Sequence, residues 1–187
     1  MDIKTNYQKL KEEIPCRVTI VVAAKTRKAE EISEVIKAGA TDIGENYVQE
    51  ALAVQRELGE EARKVRWHLI GPLQKNKINQ ALSIFDVIQT IGDYEIAHEI
   101  DKRVEKSGKT LIPVYIEINI ADEKNKYGVK PEIESILELI KKIAANLGHI
   151  KIEGLMTMGP FVDNPEKLRP YFRKARMIFE KIKNTNI

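Results

Sequence analysis

Apolar and polar positions follow two different periods along the chain, one typical of strands and one typical of helices. Short apolar runs are followed by longer stretches in which apolar side chains recur every third or fourth position. Residues 3–14 already have the helical period, and they predict a helix that ends before Pro15. From there the two kinds of segment alternate to the end of the chain.

Six predicted strand–helix units result from this alternation. The predicted strands are 18–24, 41–46, 64–71, 85–92, 110–120 and 150–160. The predicted helices are 29–39, 47–59, 76–84, 93–108, 131–148 and 166–184. Strict alternation at a spacing of about 25–30 residues indicates an α/β fold with a parallel sheet and outer helices.

Two architectures fit such a pattern, an open doubly wound sheet and a closed (β/α)₈ TIM-type barrel. No G-x-G-x-x-G follows the first strand, so the usual dinucleotide fingerprint is missing. The even unit length favours the barrel, which needs eight units and typically about 250 residues. We therefore expect one barrel domain over residues 1–187 that is incomplete at its C-terminal end, unless the fold closes in another way.

Composition and charge exclude several classes of function. The chain has 31 basic and 28 acidic residues, and no basic cluster that would indicate nucleic acid. Cys16 is the single cysteine, which rules out an intramolecular disulfide, and three separated histidines do not predict a metal site. No apolar run approaches the roughly 18 residues of a membrane span, and the charged N-terminus is unlike a signal peptide. A cytoplasmic location is expected.

Polar or polarisable side chains stand near the predicted end of every strand. They are Lys25; Glu45 and Asn46; Trp67 and His68; Gln89 and Thr90; Glu117 and Asn119; and Met156, Thr157 and Met158. Active sites of parallel barrels lie at the carboxyl ends of the strands, so this distribution predicts a small-molecule site at one mouth.

Each of these residues also has an ordinary structural interpretation. Lys25 could extend its ammonium group to solvent, and Asn46 could cap the following helix. His68 could be a hydrogen-bonded structural residue, and Met156 could belong to the core. Glu117 would need a partner if it pointed inward.

A partly buried lysine at a strand end has one distinctive chemistry. Desolvation lowers the pKa of the amine, and the neutral form condenses with a carbonyl group to give a Schiff base. The carbonyl could belong to a sugar, a keto acid or pyridoxal phosphate, and spacing alone does not choose among them.

Several stretches resemble the pyridoxal-phosphate homeostasis proteins, which have the barrel fold of the N-terminal domain of alanine racemase. These stretches are "AAKT" at 23–26, "GENYVQEA" at 44–51, "WHLIGPLQKNK" at 67–77, "IEINIADEKNKYG" at 116–128 and "GLMTM" at 154–158. They occur in the family's order, and the resemblance extends from about residue 18 to residue 179.

The resemblance implies that Lys25 holds pyridoxal phosphate as a Schiff base. Further residues fall on family motifs at neighbouring strand ends and are implied as cofactor-binding residues: Asn46, His68, Asn119 and Met156. Lys126 matches a family lysine that could reach phosphate or a second cofactor molecule, or it could be a solvated loop charge.

The implied function is that of a non-enzymatic carrier in intracellular pyridoxal-phosphate homeostasis, releasing the cofactor to pyridoxal-phosphate-dependent client enzymes. No racemase activity is expected, because the second domain that supplies the opposing base has no counterpart in these residues. The family's strands seven and eight, expected to hold the phosphate, also have no counterpart, so weak cofactor affinity is expected of these 187 residues alone. The alternatives are a racemase or lyase that uses Lys25, and an interaction module that binds no cofactor.

Overall fold

The computed structural model describes residues 2–124 and 126–185, and over these residues strands and helices alternate as the sequence pattern predicts. The strands are β1 (Val21–Ala23), β2 (Asp42–Glu45), β3 (Arg66–Leu69), β4 (Val87–Ile91), β5 (Ile112–Ile118) and β6 (Ile150–Thr157). The helices are α1 (Ile3–Glu13), α2 (Ala29–Lys37), α3 (Val48–Leu58), α4 (Ile78–Ile84), α5 (Tyr94–Val104), α6 (Ile133–Asn146) and α7 (Arg169–Lys183). The six strands follow chain order in the sheet. The prediction of an α/β fold with six βα units is confirmed.

The described residues form two compact units. The first unit comprises residues 2–72 and 79–87, and the second comprises residues 73–78, 88–124 and 126–185. The expectation of one barrel domain over residues 1–187 stays a prediction.

Strands β1, β2 and β3 of the first unit pair in parallel, with Ala23, Gly44 and His68 level with one another. Gly44 fits because a Cβ atom there would lie 2.9 Å from the Ile70 side chain. Helices α2 and α3 bury apolar side chains at helical spacing, which are Ile32, Val35, Ile36, Val48 and Ala51. Strands β1, β2 and β3 are therefore in register near their carboxyl ends, and apolar side chains of α2 and α3 are buried in the core of the same unit.

The second unit is built around β5, which pairs in parallel with both β4 and β6. Alternate residues of β5 are fully buried, from Ile112 to Ile118, while Tyr115 and Glu117 between them are half-buried. Helix α6 contributes a buried stripe of Ile136, Leu139, Ile140 and Ile143. The loop after β5 thus follows a strand that is paired on both sides and buried at alternate positions.

The first strand is shorter than expected. The apolar run 18–24 predicts a strand of that length, whereas β1 begins at Val21. Val21 pairs with Asp42, which is the first residue of β2, so residues before Val21 have no β2 partner. Val18 is accordingly half exposed, at 50%.

Candidate functional site

Lys25 lies in a tight turn directly beyond β1. The Ala24 N–H donates to the Gly44 carbonyl at 2.8 Å, which continues the pairing with β2 by one residue. The Arg27 N–H then donates to the Ala24 carbonyl at 2.9 Å and closes a four-residue turn around Lys25. Lys25 itself is exposed. The expectation of a partly buried amine is therefore wrong for the described chain, because β1 ends before this residue and only the turn surrounds it.

The far side of this turn is fixed to helix α2. The Lys28 N–H donates to the Glu31 carboxylate at 2.9 Å, and the Arg27 guanidinium lies 3.4 Å from the other oxygen of that carboxylate. These interactions lower the pKa of Glu31, with the Lys28 N–H as the largest cause. Ala24 and Ala29, on the two sides of the turn, are buried. The amine of Lys25 is thus exposed on a backbone that is anchored at both ends.

Asn46 lies directly beyond β2 and is not the cap of the following helix. The residue that caps α3 is Tyr47, and no side chain makes the capping hydrogen bond. Asn46 is half-buried, and its carboxamide makes no hydrogen bond to any other residue that the structure describes. Its backbone is held in place by Gly71, where a Cβ atom would lie 2.3 Å from the Asn46 carbonyl oxygen. The carboxamide is therefore free for a ligand on a tightly packed backbone.

His68 is paired with an acid inside the first unit. Its Nε2 lies 2.8 Å from Oδ1 of Asp42, and both side chains are almost completely buried. Asp42 also accepts a hydrogen bond from the Thr41 hydroxyl at 2.7 Å. This arrangement favours the structural interpretation of His68, and its assignment to the cofactor stays a prediction.

Glu45 is a buried acid that sequence reasoning noted at a strand end without giving it a role. It is 1% exposed, and its Oε2 atom has no hydrogen-bond partner among residues 2–124 and 126–185. Burial raises the pKa of the Glu45 carboxyl to about 7; the charge of Glu50 adds to the rise and the Asn46 backbone N–H opposes it. Glu45 therefore changes its charge near neutral pH, one residue before Asn46.

Asn119, in the second unit, organises the loop that follows β5. Its Nδ2 donates to the carbonyls of Glu123 at 2.8 Å and Lys126 at 3.3 Å, and its Oδ1 accepts from the Glu123 N–H at 3.2 Å. Two backbone bonds, from Asn119 to Val129 and from Val129 to Glu117, close the loop at its base. The side chain is thus used within the protein, and a cofactor role for it stays a prediction.

Two further side chains of this loop are also paired. The Lys126 ammonium lies 2.6 Å from the Glu123 carboxylate, so this lysine is an ion-paired loop residue. The Tyr127 hydroxyl accepts the Gly92 N–H at 3.3 Å and donates to Asp93 at 3.4 Å. Burial, with the nearby Asp93 charge, raises the pKa of Tyr127 to about 12. The ring is in close contact with Gly92, where a Cβ atom would lie 2.7 Å from it.

Met156 is a half-buried residue of β6 and faces Glu117 in the register of the sheet. Burial raises the pKa of Glu117 to about 6, and Met158, two residues further on, is 65% exposed. The position of Met156 is compatible with a pocket wall, and its cofactor assignment stays a prediction.

The part of the chain that the structure describes contains neither a group of metal-ligating side chains nor a membrane-spanning helix. Residues 2–124 and 126–185 contain no group of three or more His, Cys, Asp or Glu side chains arranged to hold a metal ion. Over the same residues, no helix is both long enough and apolar enough to span a bilayer. Cys16 is exposed and unpaired.

Comparison with known proteins points to one family. The family model of the alanine racemase N-terminal domain matches residues 2–186. A pyridoxal phosphate homeostasis protein of Haemophilus influenzae is 36% identical over 166 residues, which are 89% of this chain and 68% of the relative. A protein of the same name from Aquifex aeolicus is 37% identical over 160 residues, which are 86% of this chain and 68% of the relative.

A solved structure agrees with these relatives. PipY of Synechococcus elongatus, solved with pyridoxal phosphate bound, superposes with a TM-score of 0.85 at 26% identity, over 97% of this chain and 82% of that one. The fold, the order of the motifs and the relatives agree, and the chain belongs to the family of pyridoxal phosphate homeostasis proteins with the alanine racemase N-terminal fold.

Proposed function

We propose that this protein holds pyridoxal phosphate reversibly on Lys25 and releases it to client enzymes in the cytoplasm, without catalysing a reaction of its own. The observation that carries the proposal is the exposed Lys25 amine on a turn anchored to β2 and α2. The relatives are named for pyridoxal phosphate homeostasis, and PipY binds this cofactor, which supports the same ligand here.

The residues of the first unit fit this ligand. Pyridoxal phosphate has an aldehyde that reacts with amines and polar ring substituents that need hydrogen-bond partners. Lys25 supplies a primary amine, and Asn46 supplies a carboxamide that no described residue uses. When bound, the cofactor would bring an electron-withdrawing ring and a reactive aldehyde.

The covalent step between the Lys25 amine and the aldehyde is reversible. The neutral Lys25 amine adds to the aldehyde carbon, a C=N bond forms, and one water molecule leaves. Addition of water, or of the amine of a client enzyme, breaks the bond again and restores Lys25. An exposed amine suits exchange, because water and a second amine can reach it.

Absorption spectroscopy of the purified chain with added pyridoxal phosphate tests this proposal. We expect a visible Schiff-base band, and after borohydride reduction a single labelled peptide that contains Lys25. Lys25→Ala should abolish both signals, whereas Lys28→Ala, at an exposed lysine beside the same turn, should leave them unchanged. Label spread over surface lysines would contradict the proposal.

Release of the cofactor and catalytic turnover of amino acids are measured separately on the protein loaded with pyridoxal phosphate. A pyridoxal-phosphate-dependent apoenzyme mixed with it should regain activity as the visible band disappears. Racemisation or cleavage of amino acids by the loaded protein, lost in Lys25→Ala, would instead identify an enzyme.

A further inference from the structure

Thr26, the residue after Lys25, has an unusual backbone conformation. Its φ angle is 65°, in the left-handed region. A β-branched residue is a genuine outlier there, because its Cβ substituents crowd the backbone. Such residues cost free energy and persist only when the surrounding structure holds them, and they concentrate at functional sites.

The turn does not itself require a threonine. Its third position takes a positive φ, which glycine or asparagine adopts at less cost. The turn is closed by its own Arg27 N–H to Ala24 carbonyl bond, and the contacts of Arg27 and Lys28 with Glu31 hold it from outside. The side chain of Thr26 is therefore not explained by the local backbone.

Nor do contacts within the protein explain it. Thr26 is exposed, and its hydroxyl makes no hydrogen bond within residues 2–124 and 126–185. Thr26 follows Lys25 directly on the same anchored turn. A hydroxyl donates strong hydrogen bonds to charged oxygens, and pyridoxal phosphate carries two kinds, the phenolic oxygen and the phosphate.

We infer that Thr26 is a further cofactor-binding residue, whose hydroxyl donates a hydrogen bond to an anionic oxygen of the pyridoxal phosphate held on Lys25. This inference rests on the proposed function. It assigns to Thr26 a role that spacing and residue type do not indicate, because the evidence for it is the φ angle.

Three variants at this position test the inference by equilibrium titration of the visible band. Thr26→Val keeps the β-branched shape and removes the hydroxyl, so we expect affinity to fall about ten-fold, as for the loss of one hydrogen bond to a charged group. Thr26→Ser keeps the hydroxyl and should stay within about three-fold of the unmodified chain. Thr26→Gly keeps the turn without strain and should bind as weakly as Thr26→Val. Thermal unfolding of all three without cofactor shows whether the fold is unchanged.

Titration with 5-deoxypyridoxal, which has the aldehyde and the phenolic oxygen but no phosphate, identifies the acceptor. If the difference between the unmodified chain and Thr26→Val persists, the acceptor is the phenolic oxygen; if it disappears, the acceptor is the phosphate. Both results support the inference.

Equal affinity of Thr26→Val and the unmodified chain would overturn the inference while leaving the proposed function intact. So would equal weakening of Thr26→Ser and Thr26→Val, since the hydroxyl would then be irrelevant. If the unmodified chain gave no band on Lys25, the proposed function would fail first, and this inference with it.

Discussion

An asparagine follows a strand in each of the two units, and the two asparagines have opposite surroundings. Asn46, beyond β2, has a half-buried carboxamide that no described residue uses. Asn119, beyond β5, has both ends of its carboxamide bonded to its own loop. The same residue type at the same place in the βα unit is thus available to a ligand in the first unit and structural in the second.

The acids near these strand ends differ in the same way. Glu45 is buried with an unpaired oxygen and a pKa of about 7, whereas Glu117 is half-buried with a pKa of about 6. Burial is the main cause in both residues, and at Glu45 the nearby charge of Glu50 raises the pKa further. A position near a strand end therefore does not determine the pKa of a carboxyl group, because burial and neighbouring charges determine it.

The largest expected effect on stability is a pH dependence from Glu45. A folded-state pKa raised above the unfolded value means that the folded protein retains a proton that the unfolded chain releases, so the free energy of unfolding falls as pH rises. The shift from 4.5 to about 7 corresponds to a fall of about 3 kcal/mol, which begins above pH 4.5 and is complete just above pH 7. Chemical denaturation at a series of pH values measures it.

Matched variants of Glu45 and Glu117 separate the contributions of the two acids to the pH dependence of stability. Glu117 contributes only up to about pH 6, so between pH 6 and 7 the fall belongs mainly to Glu45. In that window Glu45→Gln should lose most of the slope, and Glu117→Gln should keep it. A slope that survives in Glu45→Gln would mean that the buried carboxyl is not the source.

A smaller effect is expected from Gly71, which holds the backbone of Asn46. Gly71→Ala places a methyl group 2.3 Å from the Asn46 carbonyl oxygen, and neither backbone can yield without disturbing the end of β2 or β3. We expect a loss of about 2–3 kcal/mol in the free energy of unfolding, together with weaker cofactor binding.

Gly148→Ala is the matched control for this change, because no atom lies within 4 Å of a Cβ atom built there. Its effect should stay within about 0.5 kcal/mol. Equal effects of the two substitutions, measured by urea denaturation, would show that the close approach to Asn46 is unimportant.

The two asparagines themselves give the smallest and most direct test. Asn119→Ala removes three hydrogen bonds and should lower the free energy of unfolding by about 2 kcal/mol. Asn46→Ala removes none to the described residues, so its effect on stability should stay below about 0.5 kcal/mol while cofactor affinity falls. Both variants are measured by denaturation and by cofactor titration. If Asn119→Ala lost cofactor affinity but no stability, the comparison between the two asparagines would be contradicted.

The sequence predicts the fold better than it predicts these roles. Helical and alternating periods arise from local packing, so all six βα units are recognisable in order. The start of β1 at Val21 is not recognisable, because it depends on where β2 supplies a partner. Pairing, rather than hydrophobicity, sets that boundary.

The candidate site shows the same division. Lys25 and Asn46 are predicted from their motifs, and their assignment to the cofactor stays a prediction. The burial of His68 with Asp42 depends on a contact between two strands, and the bonds of Asn119 depend on the conformation of its own loop, so residue type and spacing reveal neither. Thr26 lies in the AAKT stretch, but residue type and spacing give it no role there, and its φ angle is what distinguishes it.

The order of the strands in the sheet affects how the chain acquires its structure. Because the strands follow chain order, each paired strand contacts a neighbour that precedes it by a few dozen residues at most. Such short sequence separations keep the entropy cost of closing each connection low. Pairing of each strand with the one before it therefore needs only a contiguous stretch of the chain.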